Sequence, residues 1–293
     1  MSEMIHVEDK YKLINKIGSG SFGEVYIAMD KNTNKSYAAK IEEKKSNSRL
    51  KEEYDIYKKL KKRGIKTGIP KVITYIETNK QHILIMQLLG KSLDNVLEEK
   101  GGKFDLATVL NLGLNITELL EKIHNAGFIH RDIKPNNFLL GLTDIDPNVY
   151  IMDFGLSKQY ISMDKKHIDM KVERSLVGTA RYASINVHMG IEPSRRDDLE
   201  SVGYMLIYFL KGRLPWQGLK KKKGTDQIKL IGDTKMCVSL NKLCNELPIC
   251  FFEYVKYCKK LKFEEKPDYE YLKDLFIKTA EDKNLKLRYC WQI

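Results

Sequence analysis

His130-Arg131-Asp132-Ile133-Lys134-Pro135-Asn136-Asn137, with Asp153-Phe154-Gly155 twenty-one residues after Asp132, is the stretch on which the reading of this chain turns. It holds two carboxylates, a lysine, an amide and a turn glycine. Carboxylate and amide oxygens suit Mg²⁺, a hard cation. A carboxylate beside an attacking hydroxyl can take its proton. A lysine close by can offset charge on a phosphoryl group in flight. His-Arg-Asp alone carries little information. Paired with Asp-Phe-Gly at this distance, it points to phosphoryl transfer.

Upstream, residues 11–90 read as strands around one helix. Gly18-Ser19-Gly20-Ser21-Phe22-Gly23 lies between β-rich runs, whereas the glycines of a dinucleotide fold open a helix. They are therefore expected at a hairpin tip, where backbone N–H groups can approach phosphates. Lys40 sits mid-strand among apolar residues. It is either an exposed strand lysine or a phosphate contact that needs a carboxylate partner. Residues 49–63 form a helical pattern, with Leu50, Tyr54, Tyr57 and Leu60 about one turn apart. Glu53 near its middle is the favoured partner; Glu52, one residue round the helix, is the rival. Ile83-Leu84-Ile85-Met86 reads as a buried strand.

After Gln87-Leu88-Leu89-Gly90 the period changes from strand to helix, which places a lobe boundary there, with residues 1–89 before it and 90–293 after. Residues 105–125 are apolar round most of the helix, as a buried helix requires, and Gly127 is a natural stop. Residues 153–186 are polar and poorly periodic, and loops this long are usually functional. Residues 197–210 form a second buried helix, expected to stop at Leu214-Pro215-Trp216. The remainder is mostly helical.

With 42% hydrophobic and 31% charged residues, the composition is that of a globular protein with an ample core. No apolar run reaches the roughly 18 residues of a membrane span, and Met1-Ser2-Glu3-Met4 lacks the basic-then-apolar start of a secretory signal. The five cysteines are odd in number and form no C-x-x-C pair, so reduced thiols are expected. The net charge of +12 permits an anionic substrate, a nucleic acid or a membrane surface. Its densest runs, at 58–63 and 220–223, come without a helix-turn-helix, zinc or stacked-aromatic pattern, so dedicated nucleic-acid or membrane binding is not expected.

The glycine loop, strand lysine, helix glutamate, His-Arg-Asp and Asp-Phe-Gly occur once each and in one order. In this the chain resembles a eukaryotic protein kinase along about residues 11–290. The implied fold is α+β and bilobal: a small antiparallel-sheet N-lobe with one main helix and a larger, mostly helical C-lobe. The resemblance implies ATP and Mg²⁺ as cofactors. It assigns Asp132 to the substrate hydroxyl, Lys134 to the transferred phosphoryl, and Asn137 and Asp153 to metal. Gly18, Ser19, Gly20 and Gly23 would cover the phosphates, and Lys40 would contact them while pairing with Glu53. Ile17, Val25, Ala38, Met86, Leu89 and Leu139 would surround the nucleotide, with Leu89 offering backbone hydrogen bonds. Asp198 would brace the catalytic loop.

Where most such kinases close the activation segment with Ala-Pro-Glu, this chain reads Ser184-Ile185-Asn186. That triplet, Gly178-Thr179-Ala180-Arg181-Tyr182-Ala183, Ser194-Arg195-Arg196-Asp197-Asp198 and Leu214-Pro215-Trp216-Gln217-Gly218 resemble the casein kinase I family. The resemblance implies Ser/Thr substrates that are acidic or already phosphorylated, with Arg181 recognising the anion. Arg131, Lys158 and Arg174 would bind an anion in place of activation-loop phosphate. A cytoplasmic and nuclear monomer is expected. Two positions depart from the family pattern. Gln227 stands where a lysine normally assists the arginine, a gap that Lys220–Lys223 could fill, and Gln87 replaces an acidic hinge residue. The rival readings are a scaffold without catalysis, which loss of a lysine, base or metal ligand would mark, and a nucleic-acid binder.

Overall fold

The computed structural model describes residues 6–7, 10–20, 23–44, 48–143, 145–162, 164–220 and 226–291. The chain divides into two compact units, Met1–Lys91 with Leu139–Gly155, and Ser92–Phe138 with Leu156–Ile293.

In the first unit, β1 (His6–Val7), β2 (Tyr11–Gly20), β3 (Gly23–Asp30), β4 (Ser36–Glu43), β5 (Val72–Glu77) and β6 (Gln81–Gln87) make one antiparallel sheet. Its order is β1-β2-β3-β4-β6-β5. Side chains alternate between the faces of a strand. Ala39 and Ile41 therefore join Tyr11, Leu13, Ile83 and Ile85 in a core on one face. The alternation sends Ala38, Lys40, Leu84 and Met86 to the other. The helix α1 (Arg49–Lys62) packs against β5 and β6. The Ser48 side chain accepts the Lys51 N–H at 3.2 Å and caps its start. Its buried face carries Leu50, Glu53, Ile56, Tyr57 and Leu60.

The second unit is built on helices. These are α2 (Leu93–Glu99), α3 (Leu106–Asn125), α4 (Ile185–His188), α5 (Arg195–Lys211), α6 (Gln227–Cys237), α7 (Leu240–Leu243), α8 (Ile249–Lys260) and α9 (Tyr269–Asp282). α3 packs against α5 and α9, and α5 against α8. Leu110, Leu112, Leu120 and Ile123 of α3 are fully buried, as its apolar circumference demands. Gly127 closes α3 with φ +78°. The short strand β7 (Phe128–Ile129) pairs with β10 (Lys158–Gln159) in this unit; β8 (Phe138–Leu140) pairs with β9 (Val149–Ile151), and from Leu139 on that pair belongs to the first unit.

The second buried helix ends within one residue of the expected 210, but a different residue stops it. α5 is stopped not by Leu214-Pro215-Trp216 but by Gly212, which takes the left-handed conformation at φ +72° and donates its N–H to Tyr208 O at 2.7 Å. Trp216 is left to pack as a buried wall beneath residue 181. Among the described residues no helix is long and apolar enough to cross a membrane. Cys244, Cys250 and Cys258 are buried free thiols.

Candidate active site

In the first unit the β2–β3 hairpin sets Gly18 opposite Val25, Ser19 opposite Glu24 and Gly20 opposite Gly23. Ser21 and Phe22 lie outside the described residues. Gly23 is demanded by the fold: φ is +122°, and an added Cβ would sit 1.9 Å from Ile41 O. Gly18 is not. A Cβ there would meet only Val25, at 3.7 Å. Its bareness serves no packing inside the chain and suits a group laid over the loop. In register with this hairpin, Val25 faces Lys40, and Ala38 faces Met86. Ile17 is half-exposed, and Met86 and Leu89 are buried. Leu140, next to Leu139, exchanges backbone hydrogen bonds of 2.9 Å with Gly90 and Lys91, which fastens the segment after β6.

Lys40 is buried, and its Nζ donates to Glu53 Oε2 at 2.7 Å and to Asp153 Oδ1 at 2.9 Å. Glu52 points to solvent. Burial opposes the charge on Lys40, but the flanking carboxylates outweigh it and hold the pKa above the usual lysine value. Asp153 has φ +68°, a strained conformation for a non-glycine residue. Tyr57 of α1 supports it there. Its hydroxyl accepts the Asp153 N–H at 3.3 Å, and its ring packs edge-on against buried Phe154 at 4.9 Å.

In the second unit Asp132 is nearly buried, and both its oxygens are engaged. Oδ2 accepts from Lys134 Nζ at 2.6 Å and Asn137 Nδ2 at 3.2 Å; Oδ1 accepts from the Thr179 hydroxyl at 2.8 Å. Asn137 Nδ2 also donates to Asp132 O at 2.7 Å. With its NH₂ group spent on Asp132, the amide has its carbonyl oxygen to offer a hard cation. Asp198 braces the loop from α5. Oδ2 accepts the His130 N–H at 2.7 Å and Oδ1 the Arg131 N–H at 2.8 Å, while His124 Nε2 donates to Oδ2 at 3.0 Å. Arg131 is thereby held at φ +69°. Burial alone would raise the Asp198 pKa, yet the donors turned on it hold it below the usual carboxylate value. His124 is buried and neutral, its pKa pushed down by desolvation, and its Nδ1 accepts from the Tyr269 hydroxyl.

The segment after Gly178 is clamped to the same unit. Gly178 has φ +88°, and a Cβ there would come 2.3 Å from Arg131 O, so only glycine permits this approach. Ser184 Oγ and Asn186 Nδ2 donate to Asp197 Oδ1, at 2.6 and 3.1 Å, and the Ile185 N–H donates to Glu200 Oε1 at 2.9 Å. Two buried carboxylates of α5 thus hold the Ser-Ile-Asn triplet. Buried Lys235 of α6 donates to Ala180 O at 2.8 Å and to Ala183 O, and its Nζ lies 5.0 Å from the ring centres of Tyr204 and Trp216. Burial lowers its pKa to about 7. His188 Nε2 donates to Ala180 O at 3.1 Å. Trp216 Nε1 donates to Arg181 O at 2.8 Å.

On this platform Arg181 is exposed, 5.8 Å from the ring centre of Tyr182 and 5.7 Å from that of Tyr208. Among the described residues no carboxylate lies within ion-pair distance of it, and the charge of Asp94 acts on it only from farther off. Gln227 is the first residue of α6; Lys221–Lys223 lie outside the described residues. Lys158 and Arg174 converge as well, but on a carboxylate of the chain, while Arg131 Nε donates to Leu156 O at 2.5 Å. Buried Glu192 pairs with Lys158 at 2.8 Å and with Arg174 at 3.5 Å. Arg131 and Arg174 also line an adjoining cavity of about 250 Å³.

Residues 11–275 match the family model of the protein kinase domain. The sheet-plus-helix unit, the helical unit and the order of motifs agree with that match, and the chain belongs to the protein kinase family. Thr179, Tyr57, Lys235 and Glu192 were absent from the sequence-derived site. Each acts through a contact between distant segments. Only Thr179 had a local cue, a hydroxyl directly after a glycine in a long functional loop.

Proposed function

We propose that the chain is a Ser/Thr protein kinase of the casein kinase I type. It transfers the γ-phosphoryl group of ATP to Ser or Thr hydroxyls in acidic or pre-phosphorylated proteins. The observation that carries the activity is the paired state of both charge clusters: Lys40 with Glu53 and Asp153, and Asp132 with Lys134, Asn137 and Thr179. A scaffold lacking catalysis would have no need of either.

Asp132 accepts the hydroxyl proton as the substrate oxygen bonds to the γ-phosphorus. The bond to the bridging oxygen breaks, and its electron pair leaves with ADP. Lys134 balances charge beside Asp132. Lys40, fixed by Glu53, meets the α- and β-phosphates, and the bare backbone at Gly18 leaves room over them. Ile17, Val25, Ala38, Met86, Leu89 and Leu139 enclose the base. Asn137 and Asp153 offer oxygens that fit Mg²⁺, which when bound neutralises charge on the phosphate oxygens.

Arg181 supports the preference for anions. Its guanidinium rests on two rings and keeps its donors for a phosphate or carboxylate of the substrate. Glu192 supports activity without activation-segment phosphorylation, since it already pairs two cations that a loop phosphate would otherwise join; Arg131 and Arg174 at the cavity edge keep the cluster cationic toward a further anion. We place the enzyme as a monomer in the cytoplasm and nucleus.

The test is transfer from ATP to peptide libraries of Ser, Thr or Tyr acceptors, with and without phosphoserine three residues earlier. Asp132→Asn should lower transfer by on the order of a hundredfold or more. Arg181→Ala should lower kcat/KM for the primed peptide far more than for the unprimed one. Equal loss on both would remove the anion pocket from the reading, and Tyr labelling alone would remove the Ser/Thr assignment.

A further inference from the structure

The lysine run at 58–63 takes no part in the proposed transfer, yet it rims a groove of the first unit. This groove, about 880 Å³, lies between α1 and β5 and the connection joining them. Its size is that of a ligand site. Tyr57, Ile65, Ile69 and Pro70 form a buried floor, and Ile73 opens to solvent at its side.

The rim carries six lysines, at 58, 59, 61, 62, 66 and 71, and one carboxylate, Asp55. Asp55 is already paired with Lys51, at 3.5 Å. Lys58 lies over the ring of Tyr54, at 5.2 Å. Among the described residues, no carboxylate lies within ion-pair distance of the other five. A solvated helix face explains single lysines. It does not explain a ring of unneutralised cations about a concave apolar floor. Mutual repulsion makes an anionic occupant favourable, and the floor favours an apolar group.

We propose that the α1–β5 groove docks an acidic segment of a partner protein that carries apolar side chains for the floor. An amphipathic segment satisfies both features at once, in the manner of a helix laid in a groove. Nucleic acid or a lipid headgroup would meet the lysines and leave the floor wet. The site goes beyond the substrate reading, because it uses neither Asp132 nor Arg181. It is also placed to act on catalysis. α1 carries Glu53, and Tyr57 of the floor touches both Asp153 and Phe154. Filling the groove therefore bears on the Lys40–Glu53–Asp153 cluster.

The probe is a fluorescein-labelled glutamate-rich peptide with phenylalanine and leucine one helical turn apart, titrated by polarisation against the full chain. Controls are the same peptide with both apolar residues changed to glutamine, duplex DNA, and phosphatidylserine vesicles. Saturable binding is expected for the apolar-acidic peptide, at least tenfold weaker for the glutamine version. The double variant Lys62→Glu/Lys66→Glu should weaken binding by tenfold or more. Ile73→Ser, at a part-exposed position where folding is safe, should weaken it severalfold. Both variants should retain the wild-type melting temperature and basal peptide phosphorylation. The proposal is overturned if the peptide does not bind, or if the glutamine version binds equally well. It is equally overturned if DNA or vesicles bind more tightly than the peptide, or if neither variant changes binding.

Discussion

Thr179→Val tests whether the loop after Gly178 sets the catalytic carboxylate or only passes near it. Valine keeps the shape of threonine and removes the hydroxyl that donates to Asp132 Oδ1 at 2.8 Å. That carboxylate oxygen has Thr179 as its side-chain donor, whereas Oδ2 has two. A hydrogen bond to a charged group contributes about 1.5–3 kcal/mol net. If the bond holds Asp132 in position for the substrate hydroxyl, its loss lowers kcat by roughly ten- to a hundredfold. The KM for ATP should change little. The assay is steady-state phosphorylation of a Ser peptide over a range of ATP concentrations, with urea unfolding to verify the fold. Thr179→Ser is the decisive partner. It keeps the hydroxyl and loses only a methyl group, so it should retain most of the activity. The reasoning is refuted if valine leaves kcat within twofold of wild type, or if serine is as impaired as valine.

Other outcomes follow from the same contacts. Lys235→Met keeps much of the side-chain stem but strips donors from the carbonyls of Ala180 and Ala183, each loss worth about 1–3 kcal/mol; the peptide KM should rise and the melting temperature fall, with the ATP KM unchanged. Burial lowers the His188 pKa to about 4, so the folded chain binds fewer protons than the unfolded one between there and the ordinary 6.5. Stability is therefore lost as pH falls through that window, by roughly 3 kcal/mol at most, less the screening allowed by partial exposure; in urea titrations from pH 7 to 4, His188→Gln should flatten this acid limb. Gly203→Ala would set a Cβ 2.7 Å from Val255 and 3.2 Å from Tyr254, forcing α5 from α8; a loss of about 1–3 kcal/mol in urea unfolding is expected.

Local pattern was enough to expect the class of fold. The glycines between two β-rich runs, the period-two strands, the apolar circumference of residues 106–125 and the order of the motifs are near-neighbour properties, written in the chain without reference to distant residues. They placed the end of α5 to within one residue but not the residue that makes the stop, because Gly212 had to be weighed against a nearby proline and tryptophan, and the left-handed stop prevailed. Nor could they choose rigorously between Glu52 and Glu53. That depends on the phase of α1 against β4, which sheet packing sets.

The residues meeting across long sequence separations lay outside pattern altogether. Glu192 answers Lys158 from 34 positions away, Thr179 reaches Asp132 from 47, Lys235 holds Ala180 from 55, and Asp198 holds His130 from 68. Such pairs have no periodic signature. Their partners are chosen by which buried charge or carbonyl lacks a counterpart once the helices have packed, since an unsatisfied polar group inside costs more than its hydrogen bond returns in water. The chemistry of the catalytic stretch could be read from residue types in order. The posture of Asp132, and the platform beneath Arg181, came from burial: α5, α6 and the loop after Gly178 had to meet before those side chains had anything to hold.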